Sequence, residues 1–311
     1  MSRALDGVVV VDKPIGPTSF AIVKAARRLT GARKVGHGGT LDPAASGVLP
    51  ICFGEATKLA QFLLDADKEY LATVRFGTET DTYDATGAVT ARASAAALTA
   101  EGVGAALRAF LGAGLQVPPM YSALKRDGRP LYDYARAGET LDRPARAVRI
   151  DVAELVGFDD AGTEAPGARV RVRCSKGTYI RALAFDLGRA VGTGAHLEAL
   201  RRTRSGPFTL EGAVTPEQLA GDPLPVVSPA GALAHLATVT LTPEQVPLVT
   251  QGKRLPWADV GIPVGGEDQG GGKPDERLVR LLSPGGALVA VAPRGTGDDP
   301  VRTLRVFNCG P

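Results

Sequence analysis

Residues 34–58 read KVGHGGTLDPAASGVLPICFGEATK, with five glycines, at 36, 38, 39, 47 and 54, around one histidine, His37, and one aspartate, Asp42. Glycine lets a backbone take positive φ and approach another group closely. A loop of this kind is first tested as a phosphate cradle. The spacing GxxxxGK[ST] is absent, because Gly47 is followed by Val48, and GxGxxG does not occur in usable form. The fixed polar feature is TLDP, in which Pro43 restricts the backbone of Asp42. Taken alone, an Asp-Pro pair marks a turn or a helix cap. The apolar run VLPICF that follows predicts a short buried strand, which anchors the loop in a core.

Upstream, GVVVVDKP reads as a buried strand entered from Gly7 and stopped by Pro14. PTSFAIVKAARRLTG predicts a helix capped by Thr18 or Ser19, with Phe20, Ile22, Val23 and Leu29 on its apolar face and Gly31 at its end. Downstream, EATKLAQFLLD predicts a helix, EYLATVRFG a strand, TETDTYDATGA a polar loop and AAALTAEGVGAALRAFLG a helix. QVPPMYSALKRDGRPLYDYARAG starts irregular and ends as a short helix. RAVRIDVAELVGF and ARVRVRCS predict paired strands, TYIRALAFDLGRAVG an amphipathic helix, and HLEALRRTRSGPF a further strand. This mixture predicts an α+β fold with a mixed or antiparallel sheet. From about Thr240 the chain turns to short strands and turns, so it divides into residues 1–239 and a small β-rich domain at 240–311. Within the latter, VGGEDQGGGKPDE, including the insert at 265–273, reads as a loop.

Composition narrows the function. Cys52, Cys174 and Cys309 form no CxxC pair, and His37, His196 and His235 show no ligand spacing. Both facts argue against a disulfide framework or a zinc site, and no metal is expected. No apolar run approaches the ~20 residues that cross a bilayer, and MSRALDGVVVVDKP lacks a secretory pattern. A cytoplasmic protein with no membrane contact is expected. The net charge is +3, and residues 240–311 hold eight Lys/Arg and eight Asp/Glu, so the excess lies in the first 239 residues. A polyanion would bind there. KAARRLTGARK, LKRDGRP and RRTRSG are read either as salt-sensitive phosphate contacts or as solvated faces.

A second segment changes the weight of Asp42. CSKGTYIRALAFDLG places Lys176, Tyr179 and Arg181 at a strand-to-helix junction. Together, GHGGTLDPAASGVLPICFGEATK and this segment resemble the signature segments of the TruB family of tRNA pseudouridine synthases. VDKPIGPTS, KEYLATVRFGTETDTYDATG, PPMYSALKRDGRPLYDYARAG and GAHLEALRRTRSGPF are similar as well, in the family's order, from about residue 7 to residue 208. LTPEQVPLVTQGKRLP and the closing LRVFN resemble the PUA-type RNA-binding domain that ends these proteins.

The resemblance implies a pseudouridine synthase catalytic domain, with a mixed, largely antiparallel sheet and flanking helices, and a small C-terminal PUA-like β-barrel. It implies that the T-loop uridine of tRNA, position 55, becomes pseudouridine without metal or cofactor. The glycosidic bond is cut, the uracil turns, and it rejoins through carbon. By motif position Asp42 is the catalytic carboxylate. It attacks covalently or takes a proton from the sugar; the residues leave both routes open. Arg181 is the partner that keeps it ionised and aimed. Tyr70 stacks on the flipped base and stands available for proton transfer. Tyr179 and Leu200 line the pocket, His37 meets RNA near the displaced base, and Lys13 supports the active-site fold. The glycines are expected to let the loop pass close to folded RNA. The partner is the tRNA T-arm, and a monomer of the stand-alone bacterial type is expected. Two other readings stand beside this one: an RNA-binding or tRNA-folding protein, and a guide-RNA-dependent synthase subunit. Intact TLDP, Tyr70 and Arg181 argue for catalysis, and the lack of long basic tails for the stand-alone type.

Overall fold

The computed structural model describes residues 5–261 and 278–308; the 265–273 insert and Cys309 lie outside them. The chain begins with β1 (Gly7–Lys13), α1 (Ser19–Thr30), β2 (Val35–His37) and β3 (Ala45–Phe53). A 3-10 turn and α2 (Ala60–Asp65) lead to β4 (Lys68–Phe76), then to the small hairpin β5 (Thr78–Thr80) and β6 (Val89–Arg92). α3 (Ala100–Arg108) and β7 (Gly112–Gln116) precede the hairpin β8 (Lys125–Arg126) and β9 (Arg129–Pro130), which runs into α4 (Leu131–Arg136). β10 (Arg146–Asp159), β11 (Gly167–Cys174), α5 (Ile180–Ala190), β12 (Ala195–Ser205) and β13 (Phe208–Thr209) complete the main sheet and its helices.

That sheet runs in the order β1-β3-β12-β4-β11-β10-β7, with β2 on β3 and β13 on β12. β12 lies parallel to β3 and every other pairing is antiparallel, so the expected mixed, largely antiparallel sheet is present. The run VVVV in β1 is apolar at every position because both faces are covered. Val9 and Val11 pack under Ile22, Val23 and Ala26 of α1, while Val8 and Val10 join Leu59, Leu63 and Phe208 on the other side. α3 and α5 cover β4, β10, β11 and β12 through Val103, Leu107, Leu183 and Leu187.

The predicted helix starts and stops hold in α1. Thr18 Oγ1 accepts from the Ala21 N–H at 3.0 Å, and Gly31 closes the helix in the left-handed region at φ 69°. Phe20 departs from expectation: it is 61% exposed, with the Lys24 ammonium over its ring. The buried stripe is Ser19, Ile22, Val23, Ala26 and Thr30. That spacing turns position 20 outward. EATKLAQFLLD splits into a 3-10 turn and the short α2, and the loop TETDTYDATGA begins on β5.

After β13 the chain builds a second, four-stranded sheet. β14 (Ala237–Thr240) pairs parallel to β15 (Leu278–Leu282); β16 (Leu288–Pro293) and β17 (Arg305–Val306) follow antiparallel. Among the described residues this sheet is open, in place of the closed barrel expected from sequence. One face carries its own core, with Trp257, Val279, Leu281 and Ala290. The other face sends Leu288, Val291 and Phe307 into the cluster that holds Val8, Val10 and Leu59. The two sheets therefore share apolar packing.

Candidate active site

The loop between β2 and β3 is tied down from three sides. The Ser19 hydroxyl, at the start of α1, donates to the Leu41 carbonyl (3.0 Å) and accepts from the Leu41 N–H (2.8 Å). The Gly16 N–H donates to the Pro43 carbonyl at 2.9 Å. From beneath, Lys13 Nζ donates to the Ala45 carbonyl at 2.6 Å and to the Pro14 carbonyl at 2.8 Å. Asp42 is held at the apex with its side chain 48% exposed.

Arg181 meets it from α5. Its Nη2 lies 2.9 Å from Asp42 Oδ2, and its own side chain is only 9% exposed. The guanidinium also donates to the Thr82 carbonyl (3.1 Å) and the Tyr121 carbonyl (2.8 Å). A second carboxylate, Asp84, sits 3.7 Å from Nη1. Asp84 is itself fixed by the hydroxyls of Thr82 (2.7 Å) and Thr86 (2.6 Å). The arginine is thus locked on its buried side, while Asp42 Oδ1 has no partner among the described residues. Tyr179 precedes α5, and the Gln116 side-chain amide clasps its backbone: Oε1 accepts from the Tyr179 N–H (2.8 Å) and Nε2 donates to its carbonyl (3.1 Å).

The other residues singled out in the sequence lie on β1, β2, β4, β12 and just before α5. Tyr70 is on β4, and Leu200 on β12 stands between Ala72 of β4 and Ala45 of β3. Asp42's charge is felt at Lys13, Tyr70 and Tyr179. Burial pushes the Tyr70 and Tyr179 phenols up, so both are protonated at neutral pH. Burial also lowers Lys13, an effect partly opposed by Asp42. His37 is lowered by burial and by the Arg202 charge. It is therefore neutral, and its Nδ1 accepts from the Gly39 N–H at 3.3 Å.

The sequence does not single out Arg202, Asp84 or Gln116 as site residues, and offers Ser19 only as a candidate helix cap. The basic cluster RRTRSG suggests a phosphate contact or a solvated face for Arg202. In the structure it is 1% exposed. Arg201 beside it pairs with Asp12 at 2.7 Å, and Arg204 is exposed. The glycines also have internal reasons. At Gly47, with φ 106°, a Cβ would run into the backbone of Arg202, because β3 and β12 approach closely there. At Gly38 it would press on the Leu63 side chain at 2.8 Å. Packing within the protein requires both glycines.

Comparison with known proteins places this architecture. Residues 27–180 match the N-terminal domain of TruB family pseudouridylate synthases, and residues 181–223 match the tRNA pseudouridylate synthase B C-terminal domain. The chain is 53% identical over 260 residues to tRNA pseudouridine synthase B of Aromatoleum aromaticum, covering 81% of this chain and 82% of that one. It is 50% identical over 263 residues to the protein of the same name from Cupriavidus pinatubonensis, covering 83% and 82%. Among solved structures it resembles a Cbf5-Nop10-Gar1 complex (TM-score 0.72, 27% identity, 97% of this chain and 84% of that chain). An H/ACA RNP bound to a substrate RNA containing 2'-deoxyuridine is similar at TM-score 0.71 and 26% identity, over 97% and 84%. The chain belongs to the TruB family of pseudouridylate synthases.

Proposed function

We propose that the pocket at Asp42 isomerises one uridine of tRNA, position 55 in the T-loop, to pseudouridine, with Asp42 as the catalytic carboxylate and Arg181 as its partner. The chain is an isomerase acting on uridine in tRNA, as the names of its relatives state. The observation that carries the site assignment is the asymmetric pair: a buried arginine, 2.9 Å from one oxygen of a half-exposed carboxylate whose other oxygen has no partner among the described residues. A guanidinium locked to two carbonyls and to Asp84 fixes where that oxygen points.

The reaction balances without an oxidant. The N1–C1′ bond breaks, the uracil rotates, a C5–C1′ bond forms, C5 loses its hydrogen and N1 gains one. Asp42 serves by attacking the ribose or by taking a sugar proton; either step needs its free oxygen at the sugar. The target base must leave its stack, and Tyr70 offers a flat partner and a protonated hydroxyl. Tyr179 and Leu200 wall the pocket. Neutral His37 faces the RNA near the vacated position, and Lys13 holds the loop from below. The exposed Lys24, Arg27, Arg28, Arg33, Lys125, Arg126 and Arg129 supply backbone attraction.

The test is incubation of the full chain with an unmodified tRNA transcript carrying tritium at uracil C5, without guide RNA or cofactor. Wild type is expected to release tritium. Asp42→Asn is expected to lose about a thousandfold or more in rate while binding tRNA normally. Binding without release by wild type would move the assignment to the guide-dependent reading, which the likeness to H/ACA assemblies favours as the second choice.

In this reading the enzyme is a cytoplasmic monomer, and residues 240–311 form a PUA-like unit that adds tRNA affinity. Lys253 and Arg254 are its exposed basic pair. Replacing both with Gln is expected to weaken tRNA binding a few-fold and reduce its salt dependence, leaving single-turnover rate intact. Unchanged binding would remove this role.

A further inference from the structure

Arg202 is a fully buried cation with no carboxylate paired to it among the described residues. Its Nε donates to the Val48 carbonyl (2.8 Å), Nη1 to the Thr40 carbonyl (3.1 Å) and Nη2 to the Gly39 carbonyl (3.1 Å). A buried charge answered only by dipoles is costly, and a well-packed apolar side chain would cost less. Its position says what the charge is for. Gly39 and Thr40 lead directly into Asp42. On the sheet, Arg202 stands directly opposite Tyr70, on neighbouring strands β12 and β4. Residues so paired share one face, so the Arg202 and Tyr70 side chains project side by side from the sheet.

The chemistry of that pairing has one direction. A guanidinium carries five N–H donors and no acceptor. Beside such a donor the phenolic oxygen can only accept, which leaves the Tyr70 proton to point elsewhere. We propose that Arg202 is a positioning residue that couples the Asp42 loop to Tyr70, fixing Gly39 and Thr40 by their carbonyls while presenting the Tyr70 O–H to the substrate pocket. This rests on the assignment of Tyr70 given above. The charge of Arg202 also reaches Lys13, His37 and Lys68, opposing protonation of each. In His37 it favours the neutral ring whose nitrogen accepts from Gly39.

The experiment compares full-length wild type, Arg202→Lys and Tyr70→Phe, with 13Cζ-labelled tyrosine. Lysine keeps a charge but loses the fork that serves loop and phenol together. Arg202→Lys is expected to bind tRNA within about threefold of wild type and to release C5 tritium about ten- to a hundredfold more slowly in single turnover. Its Tyr70 Cζ titration is expected to move to higher pH. A wild-type rate overturns the proposal. So does a slowed rate with an unmoved Tyr70 titration, which would leave Arg202 as a loop anchor only. Should Arg202→Lys fail to fold, Tyr70→Phe decides: it removes the acceptor, so its melting temperature should fall, and an unchanged one overturns the coupling. Tyr70→Phe at wild-type rate would sink the Tyr70 assignment itself, a separate failure.

Discussion

Arg181 and Arg202 are both buried within a few residues of the loop that carries Asp42, and they are answered differently. Arg181 meets two carbonyls and two carboxylates, Asp42 at 2.9 Å and Asp84 at 3.7 Å. Arg202 meets three carbonyls and stands opposite Tyr70 on the neighbouring strand. The first arginine has counter-charges and reaches the pocket through one of them. The second keeps its charge uncompensated beneath the loop and acts on neighbours that are neutral or cationic. On the proposed assignment, one aims a reacting carboxylate and the other supplies a fixed frame and field.

The largest effect expected from this contrast follows removal of Arg181. Arg181→Ala should slow single turnover by about a hundred- to a thousandfold, the scale of deleting a charged group aimed at a reacting centre. Breaking a fully buried ion pair costs about 3–5 kcal/mol. The stability loss here should be smaller than that, because Asp42 is half-exposed and water can take over its charge. Binding of tRNA should change little. Equal losses in rate and affinity would show that Arg181 holds RNA in place of aiming Asp42, and would erase the contrast with Arg202.

The sequence made one of these arginines visible and hid the other, for a physical reason. Arg181 lies in a segment that reads as a helix start beside Tyr179, and its resemblance to known segments pointed at Asp42. Arg202 lies in RRTRSG, where three arginines sit within four positions. Alternation along a strand would sort them, but the pairing of β12 with β4 shifts register between Arg202 and Arg204. Which arginine turns inward depends on that irregularity, and no pattern in the run announces it. Gln116 left no signal either, since its partner is the backbone of a residue far along the chain. The strands and helices themselves were legible because GVVVV, the cap at Thr18 and the glycine stop at Gly31 are local signals. The open second sheet was not, because its closure depends on long-range pairing.

A smaller effect should sharpen the account of how Arg181 is aimed. The Gln116 amide makes both of its hydrogen bonds to the Tyr179 backbone, two residues before Arg181. Gln116→Ala unpairs the partly buried Tyr179 N–H, at about 1–3 kcal/mol, while the Tyr179 carbonyl still accepts from the Leu183 N–H at 3.1 Å. The melting temperature should drop, and turnover of bound tRNA should slow about tenfold with affinity retained. A lower melting temperature with an unaltered rate would mean that α5 holds its register without the clasp.

The smallest effect isolates the field of Arg202. His37 is lowered from its ordinary value, first by burial and then by the Arg202 charge. The unfolded chain takes up a proton at this residue near pH 6.5, while the folded protein resists it. Between the two values the unfolded state binds more protons, so stability is lost as pH falls below about 6.5 and regained as it rises. Once pH falls through the folded value, a protonated Nδ1 also cannot accept from the Gly39 N–H, so the loop loosens there. His37→Gln removes the titrating group. Its melting temperature should therefore decline less steeply than that of wild type below pH 6.5, and its acid-side loss of turnover should flatten in parallel. Identical acid slopes in the two proteins would mean that His37 stays neutral, or titrates, without consequence for the loop. The field of Arg202 would then matter at Tyr70, Lys13 and Lys68 and not at His37.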